Sequence, residues 1–189
     1  GGWLGPSLAA FKVVGNIVLP VSFGQDERSI YITIGNWPNN QYSQIAVSVT
    51  GGTSGGNQGM GVCLRAEAIT ETCYRVVVNK GASNNIEVSK HINGIRTGLG
   101  YITTTWVDGD ILKASIEGNS PAVIKVYQNA VQIGSNFLDS SIKTGAPGLS
   151  SSSTYTSGSG DNWEGGGDYT MGFISNKLRP RIFGPGLAR

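Results

Sequence analysis

Apolar and polar residues alternate along much of this chain, as in β-strands with one buried and one solvent-facing side. In residues 43–49, for example, Ile45, Val47 and Val49 share one face, and polar or small residues share the other. Only residues 7–14 offer a helical pattern, and it is short. The alternating runs predict ten strands, at residues 17–23, 29–34, 43–49, 60–66, 73–78, 85–92, 100–105, 111–117, 123–128 and 131–134. This order of elements predicts an all-β sandwich or jelly roll.

Glycine, asparagine and serine mark the connections between these strands. Asp108-Gly109 predicts a hairpin turn before residues 111–113, and Asn129-Ala130 predicts a turn between two short strands. The glycine- and serine-rich stretches 50–61 and 150–160 predict loops. Strands resume after each loop, so we predict one sandwich domain over residues 1–175 with an N-terminal arm at 1–8, followed by an extended C-terminal arm at 176–189.

The composition suits a β-rich domain and argues against several classes of function. Of the 189 residues 29 are glycine, 39% are hydrophobic and 14% are charged. A formal net charge of +2 offers little basic surface to neutralise phosphates, so nucleic acid is not a predicted partner. No apolar run reaches the roughly 18 residues of a membrane-spanning helix, so a membrane is not predicted either.

The two cysteines, Cys63 and Cys73, are too few for a structural zinc site. Residues 67–71 suit a turn, and a hairpin centred near Ala68 would place the two cysteines opposite one another. Either a disulfide or a pair of buried thiols is compatible with that placement. A disulfide would locate the protein outside a reducing cytosol.

Four short motifs follow one another in the second half of the chain: GDIL at 109–112, VYQN at 126–129, DSS at 139–141 with GAPG at 145–148, and DNW at 161–163. Together they resemble the concanavalin A-like lectin/glucanase superfamily, and more narrowly the laminin-G-like jelly rolls of bacterial and phage proteins, over residues 7–165. The resemblance implies a concanavalin A-like jelly-roll β-sandwich of two antiparallel sheets, and the ends of this chain add extended N- and C-terminal arms to it. The chain departs from the pattern at Ala130, where glycine is usual, and after Gly166, where the domain normally ends.

The superfamily includes enzymes, but this chain lacks their motifs. Glucanases carry Glu-x-Asp-x-x-Glu on one strand and polysaccharide lyases carry Gln-x-His with Arg and Tyr, and neither string occurs here. A strand would turn Asp161 and Glu164 to opposite faces, and we expect the sole histidine, His91, to be a surface strand residue. The protein is therefore predicted not to be an enzyme.

No cofactor and no metal site are predicted. Asp108 and Asp110 lie beside a turn, where short acidic side chains commonly bond to backbone amides. A structural calcium ion at these carboxylates or at residues 161–168 is the alternative, although neither group has the regular spacing of a calcium loop.

The resemblance implies glycan binding through aromatic platforms with Asn, Asp and Gln, placed on loops or on the concave sheet. The predicted ligand-binding residues are Trp37, Tyr42, Tyr155, Asp161 and Asn162. Trp106 and Trp163 match positions that pack the sandwich, and Trp37-Pro38 also suits a turn, so core or turn roles are the competing interpretation.

Both ends of the chain are apolar and contain proline, which predicts arms that clasp either the domain's own sheet or a neighbouring subunit. The predicted assembly residues are Trp3, Leu4, Arg179, Arg181 and Phe183. The predicted function is a non-catalytic surface or adhesion module, most simply a homo-oligomeric structural subunit of a bacteriophage virion or filament, with glycans as a further partner. Its predicted location is extracellular or on a virion surface. The alternative is a stand-alone or secreted carbohydrate-binding module, and a polysaccharide hydrolase or lyase is less favoured.

Overall fold

The computed structural model describes residues 3–4, 11–15, 17–20, 28–32, 36–48, 58–67, 69–80, 84–153 and 158–167. Within these ranges the chain forms strands and no helix, and none of these residues belongs to a helix that could cross a membrane. The strands are β1 (Trp3–Leu4), β2 (Phe11–Val14), β3 (Ile17–Pro20), β4 (Arg28–Ile32), β5 (Gln41–Ser48), β6 (Gln58–Ala66), β7 (Cys73–Lys80), β8 (Asn85–Ile92), β9 (Ile95–Thr103), β10 (Ile111–Glu117), β11 (Ala122–Gln128), β12 (Val131–Asp139), β13 (Ala146–Ser153) and β14 (Ser159–Gly167).

These strands form two antiparallel sheets of seven strands each. Sheet A has the order β1-β4-β13-β6-β7-β8-β9, and sheet B has the order β12-β11-β10-β5-β14-β3-β2. One continuous apolar core joins them, with Val62 and Val76 from sheet A and Ile45 and Leu112 from sheet B among its members. The predicted all-β sandwich of two antiparallel sheets is confirmed.

Several predicted elements need correction at their ends. β8 and β10 have the predicted bounds, but β12 runs five residues beyond the predicted 131–134. Phe11–Val14, in the region of the helical pattern, is a strand that pairs with β3. Its β-branched Val13 and Val14 favour that conformation.

The serine-rich stretch 150–160 is not a single loop. Residues 150–153 continue β13, and β14 begins at Ser159. The prediction rested on serine content alone and took no account of pairing with a neighbouring strand. Ser150 lies opposite Gly61, so two small residues fit side by side. The glycines at 165–167 are likewise part of β14.

The Asp108-Gly109 turn does not close a hairpin. It lies between β9 and β10, which belong to different sheets, so it carries the chain across the sandwich. Gly109 has the left-handed φ of 91° expected for the turn. The local conformation was therefore predictable, and the partner strand was not.

Arg65 forms hydrogen bonds to three connections at one end of the sandwich. It is fully buried, and its guanidinium donates hydrogen bonds to the carbonyl oxygens of Asn39, Ile142 and Gly118. Trp37 lies near this end and packs against the core. The three carbonyl oxygens come from three separate connections, so one side chain fixes their relative positions.

The N-terminal arm is partly described. Trp3 and Leu4 pair with Ile32 and Tyr31, so these two residues form an edge of the chain's own sheet A. The other predicted assembly residues, Arg179, Arg181 and Phe183, lie outside the described residues. The domain limits at 1–175 and the arm at 176–189 therefore stay predictions.

Candidate functional site

The outer side of sheet B carries polar and aromatic side chains on its central strands. The alternation of β5 decides which they are, because Ile45 and Val47 are fully buried in the core. Their neighbours Tyr42 and Gln44 point away from the core and are half-buried. β5 lies between β10 and β14, so side chains from several strands meet on this side.

Lys113 of β10 lies in the middle of this group. The cross-strand register sets it opposite Gln44 on one side and Tyr127 on the other. Its Nζ lies 4.5 Å from the centre of the Tyr42 ring and 5.6 Å from the centre of the Tyr127 ring. Both distances are within the roughly 6 Å over which an ammonium group is attracted to an aromatic face. The two tyrosines therefore hold the ammonium group over this part of the sheet.

Glu164 joins the group because of a β-bulge in β14. The register shifts between Asp161 and Glu164, and Asn162 within the bulge has a left-handed φ of 53°. Asparagine adopts that conformation more readily than most residues. Asp161 lies opposite Ala46 and Glu164 opposite Gln44, so both carboxylates are on the outer side. The prediction that they face opposite sides is wrong, because a bulge interrupts the two-residue period of a strand.

Hydrogen bonds join Glu164 to β5. Tyr42 Oη donates to Glu164 Oε1 at 2.6 Å, and Gln44 Nε2 donates to Glu164 Oε2 at 3.4 Å. A Cβ atom at Gly166 would lie 3.0 Å from the Tyr42 ring, so the glycine leaves the space that the ring occupies. Tyr42, Gln44, Lys113, Tyr127 and Glu164 are called the tyrosine–lysine face below.

A depression of about 440 Å³ adjoins this face. It is lined by Gln44, Ile111, Lys113, Tyr127, Asn129 and Ala130. The turn between β11 and β12 forms one side of it, and Asn129 and Ala130 there have left-handed φ values of 51° and 68°. The predicted Asn129-Ala130 turn is confirmed. The backbone amide of Ile111 donates to Asn129 Oδ1 at 2.9 Å, which fastens this turn to β10.

Asp110 holds the same turn from the other side. Asn129 Nδ2 donates to its Oδ1 at 2.7 Å, and Gln128 Nε2 and the backbone amide of Val107 donate to its Oδ2 at 2.7 and 3.0 Å. Burial alone raises the pKa of Asp110, but these three hydrogen bonds outweigh it and lower the pKa. The carboxylate caps a turn, as predicted for this residue. Among the described residues, no group of three or more His, Cys, Asp or Glu side chains could hold a metal ion.

Ser115, Lys125 and Glu117 extend the outer side of sheet B beyond Lys113. Lys125 Nζ lies 3.0 and 3.1 Å from the two carboxylate oxygens of Glu117. Ser115 lies opposite Tyr42 and Lys125 and is buried. Its hydroxyl oxygen has no hydrogen-bond partner in the described part of the chain.

The five predicted ligand-binding residues are not all in one place. Tyr42 and Asp161 are on the outer side of sheet B, and Asn162 is exposed at the bulge. Trp37 is half-buried against the core, and Tyr155 lies outside the described residues. Trp163 is buried in the core, as predicted, and its Nε1 donates to Ser43 Oγ at 2.9 Å. Ligand binding by the five residues stays a prediction.

Sequence reasoning missed most of the tyrosine–lysine face. Gln44, Lys113 and Tyr127 occupy polar positions of alternating strands, so a signal was present in each strand. The sheet order is what brings them together from positions up to 83 residues apart in the chain. Glu164 could not be assigned to this side without knowledge of the bulge.

A second polar cluster lies on the outer side of sheet A, and it is buried. Arg75 donates to Ser150 Oγ at 2.6 Å, to the carbonyl oxygen of Ser151 at 2.8 Å and to His91 Nε2 at 3.1 Å. The prediction that His91 is a surface residue is wrong, because the polar face of β8 is covered. Burial, followed by the charges of Arg75 and Arg96, lowers the pKa of His91 to about 3. The imidazole is therefore neutral near pH 7 and can accept the bond from Arg75.

The two cysteines lie near this cluster and are both buried thiols, not a disulfide. Cys63 pairs with Arg75 and Cys73 with His91, so the cysteines are not opposite one another as predicted. The partner of Cys63 is two residues further along the chain than predicted, so the turn is centred at residue 69 and not at Ala68. Burial, together with the neighbouring Cys73 thiol, raises the pKa of Cys63 well above its usual range.

The sandwich is similar in fold to several solved structures. No protein-family model and no curated protein sequence matches the chain. A carbohydrate-binding module of type CBM66 from Bacillus subtilis superposes with a TM-score of 0.66 at 15% identity, covering 87% of this chain and 95% of that one. The exoplasmic/lumenal domain of VIP36, in a form with calcium and mannose bound, gives 0.59 at 10% identity, covering 91% and 84%. The GH43 protein BlXynB from Bacillus licheniformis gives 0.60 at 12% identity, but the match covers only 36% of its chain.

These likenesses establish the class of fold. The chain is a jelly-roll β-sandwich of the concanavalin A-like type, as the sequence motifs led us to expect. At 10–15% identity they carry no residue roles over to this chain.

Proposed function

We propose that this protein is a non-catalytic carbohydrate-binding module that binds glycans on the tyrosine–lysine face. The observation that carries the proposal is the juxtaposition of two tyrosine rings with an ammonium, an amide and a carboxylate on one accessible sheet face. Sugar rings have apolar C–H faces that pack on aromatic rings, and their hydroxyl groups need donors and acceptors in fixed positions. The fold shared with a carbohydrate-binding module and with a mannose-bound domain supports the proposal.

Two of the described carboxylates, Asp110 and Asp139, are unsuited to act as the acid of a hydrolytic reaction. A glycosidase needs a carboxylic acid with a raised pKa to protonate the leaving group. Burial raises the pKa of Asp139, but hydrogen bonds from Lys90, the Ser141 amide and Tyr74 lower it far below its usual range. Hydrogen bonds lower the pKa of Asp110 as well.

Such a module would bind its glycans outside the cell. Assembly into a virion or filament, which the sequence suggested, gains no support from the described residues. The part of the N-terminal arm that they include pairs with the chain's own sheet. We therefore place glycan binding first.

Two tyrosine variants test the proposal. Glycan microarrays followed by affinity electrophoresis in soluble polysaccharides should identify a bound glycan for the wild-type protein. Tyr127→Ala should then lose binding by about tenfold or more, since aromatic anchors carry much of the energy of such contacts. Tyr101→Ala, at an exposed tyrosine on sheet A, is the matched control and should bind normally. Equal binding by both variants, or no glycan bound by the wild-type protein, would show the proposal to be wrong.

A further inference from the structure

We propose that the tyrosine–lysine face selects anionic glycans, and that Lys113 contacts the sugar carboxylate or sulfate group over the adjoining depression. This rests on the proposed function, since it names the class of glycan that the same face binds. Two observations on the outer side of sheet B carry it: the pairing state of its charged groups, and the side of β5 on which the cation lies.

Lys113 carries the positive charge of the tyrosine–lysine face, and no carboxylate among the described residues pairs with it. Lys125 is paired with both oxygens of Glu117, and both oxygens of Glu164 accept hydrogen bonds from Tyr42 and Gln44. Among the described residues, Lys113 has no carboxylate within ion-pair distance and no hydrogen-bond acceptor, and its contacts are the two tyrosine rings. An ammonium group has three N–H donors, and an aromatic face does not use them as an anionic oxygen does.

The positions of the charges leave an approach for an anion. Glu164 is bonded to the hydroxyl end of Tyr42 on the β14 side of β5, whereas Lys113 is on the β10 side. The depression opens on the β10 side, and Lys113 and Tyr127 both line it. A sugar ring packed on Tyr127 and the exposed Ile111 would therefore present its acidic group to Lys113 with Glu164 on the far side of β5.

Paired probes that differ only in charge provide the test. Affinity electrophoresis would compare polygalacturonate with its methyl-esterified form, and dextran sulfate with dextran. We expect retardation by the charged member of at least one pair and little by its neutral partner. The first pair reports a carboxylate and the second a sulfate ester. Binding should weaken as salt is added, because the contact is between charges at the protein surface, where salt screens them.

Variants of equal net charge separate a specific contact from general attraction. Lys113→Met should weaken binding to the charged probe by about tenfold or more, and Lys113→Arg should keep most of it. Lys143→Met removes the same charge from an exposed loop residue bonded to Asn119, and it should bind like the wild-type protein. Equal losses in Lys113→Met and Lys143→Met would overturn the inference, because general attraction would then explain the binding.

The remaining outcomes distinguish this inference from the proposed function. Binding of neutral glycans that depends on Tyr127 but not on Lys113 would overturn the anionic selectivity and leave the proposed function standing. Failure to bind any of the neutral or charged glycans would overturn both.

Discussion

The outer sides of the two sheets carry similar residue types in very different surroundings. On sheet A, Arg75 and His91 are 2% and 1% exposed. On sheet B, Tyr42 and Lys113 are half-buried and line an accessible face. Each set occupies the outward positions of alternating strands, so the strand pattern alone does not separate a buried polar cluster from an accessible one.

The difference lies in how the polar groups are satisfied. Arg75 donates to protein acceptors in Ser150, Ser151 and His91, and such a buried hydrogen-bond network stabilises one arrangement of the strands. Lys113 has two rings and no acceptor among the described residues. We therefore assign a structural role to the first group and a recognition role to the second.

Removing Arg75 should give the largest effect on stability. Arg75→Met keeps much of the side-chain volume but leaves the Ser151 carbonyl oxygen and His91 Nε2 buried without their donor. A buried polar group left without its partner costs roughly 1–3 kcal/mol, so the free energy of unfolding should fall by about 3 kcal/mol. Urea denaturation would measure it. Lys113→Met on sheet B, the matched control, should change it by less than about 1 kcal/mol, and equal effects would remove the contrast between the two sides.

The pH dependence of stability should report the buried imidazole of His91. Its pKa falls from 6.5 in the unfolded chain to about 3 in the folded protein. Between those values the unfolded chain binds a proton that the folded protein does not, so stability is lost as the pH falls below 6.5. The loss should approach about 1.4 kcal/mol for each pH unit.

Denaturation curves between pH 7 and 4.5 for wild type and His91→Gln would isolate this effect. The variant should lack that part of the slope, because the titrating group is gone. Asp139, whose carboxylate is favoured in the folded state, contributes in the same direction but only at lower pH. If the two slopes agree, His91 is either exposed or already protonated in the folded protein.

Short-range sequence patterns predicted much of the fold. The errors arose where pairing between strands that are distant in the sequence determines the structure. The bounds of β8 and β10 and the Asn129-Ala130 turn followed from short windows of sequence, whereas the burial of Trp163 followed from the resemblance to the jelly-roll superfamily. The strand at Ser150 depended on a glycine in β6, and the side occupied by Glu164 depended on one extra residue at Asn162. The candidate site was harder to predict than the fold, because it is assembled from β5, β10, β11 and β14.

The turn beside the candidate site should gain stability from one substitution. Ala130 has a φ of 68°, a conformation that costs a residue with a Cβ atom roughly 1–2 kcal/mol compared with glycine. Part of that gain is offset by the greater freedom of glycine in the unfolded chain. Ala130→Gly should therefore raise the free energy of unfolding by up to about 1 kcal/mol, as measured by urea denaturation. A substitution that instead lowered stability would mean that the Ala130 methyl group makes a stabilising contact in the depression.

The smallest change in stability is expected at the proposed binding face itself. Tyr127 is partly exposed, and the described contact of its ring is with the Lys113 ammonium group, a cation–π interaction worth about 0.5–1 kcal/mol at such a site. Tyr127→Ala should thus lower the free energy of unfolding by no more than about 1 kcal/mol, although we expect it to abolish most glycan binding. Thermal unfolding in the presence and absence of a bound polysaccharide would show both, since a ligand stabilises only the protein that binds it. A loss as large as that of Arg75→Met would place Tyr127 with the structural residues of sheet A, and its effect on binding would then no longer identify a recognition face.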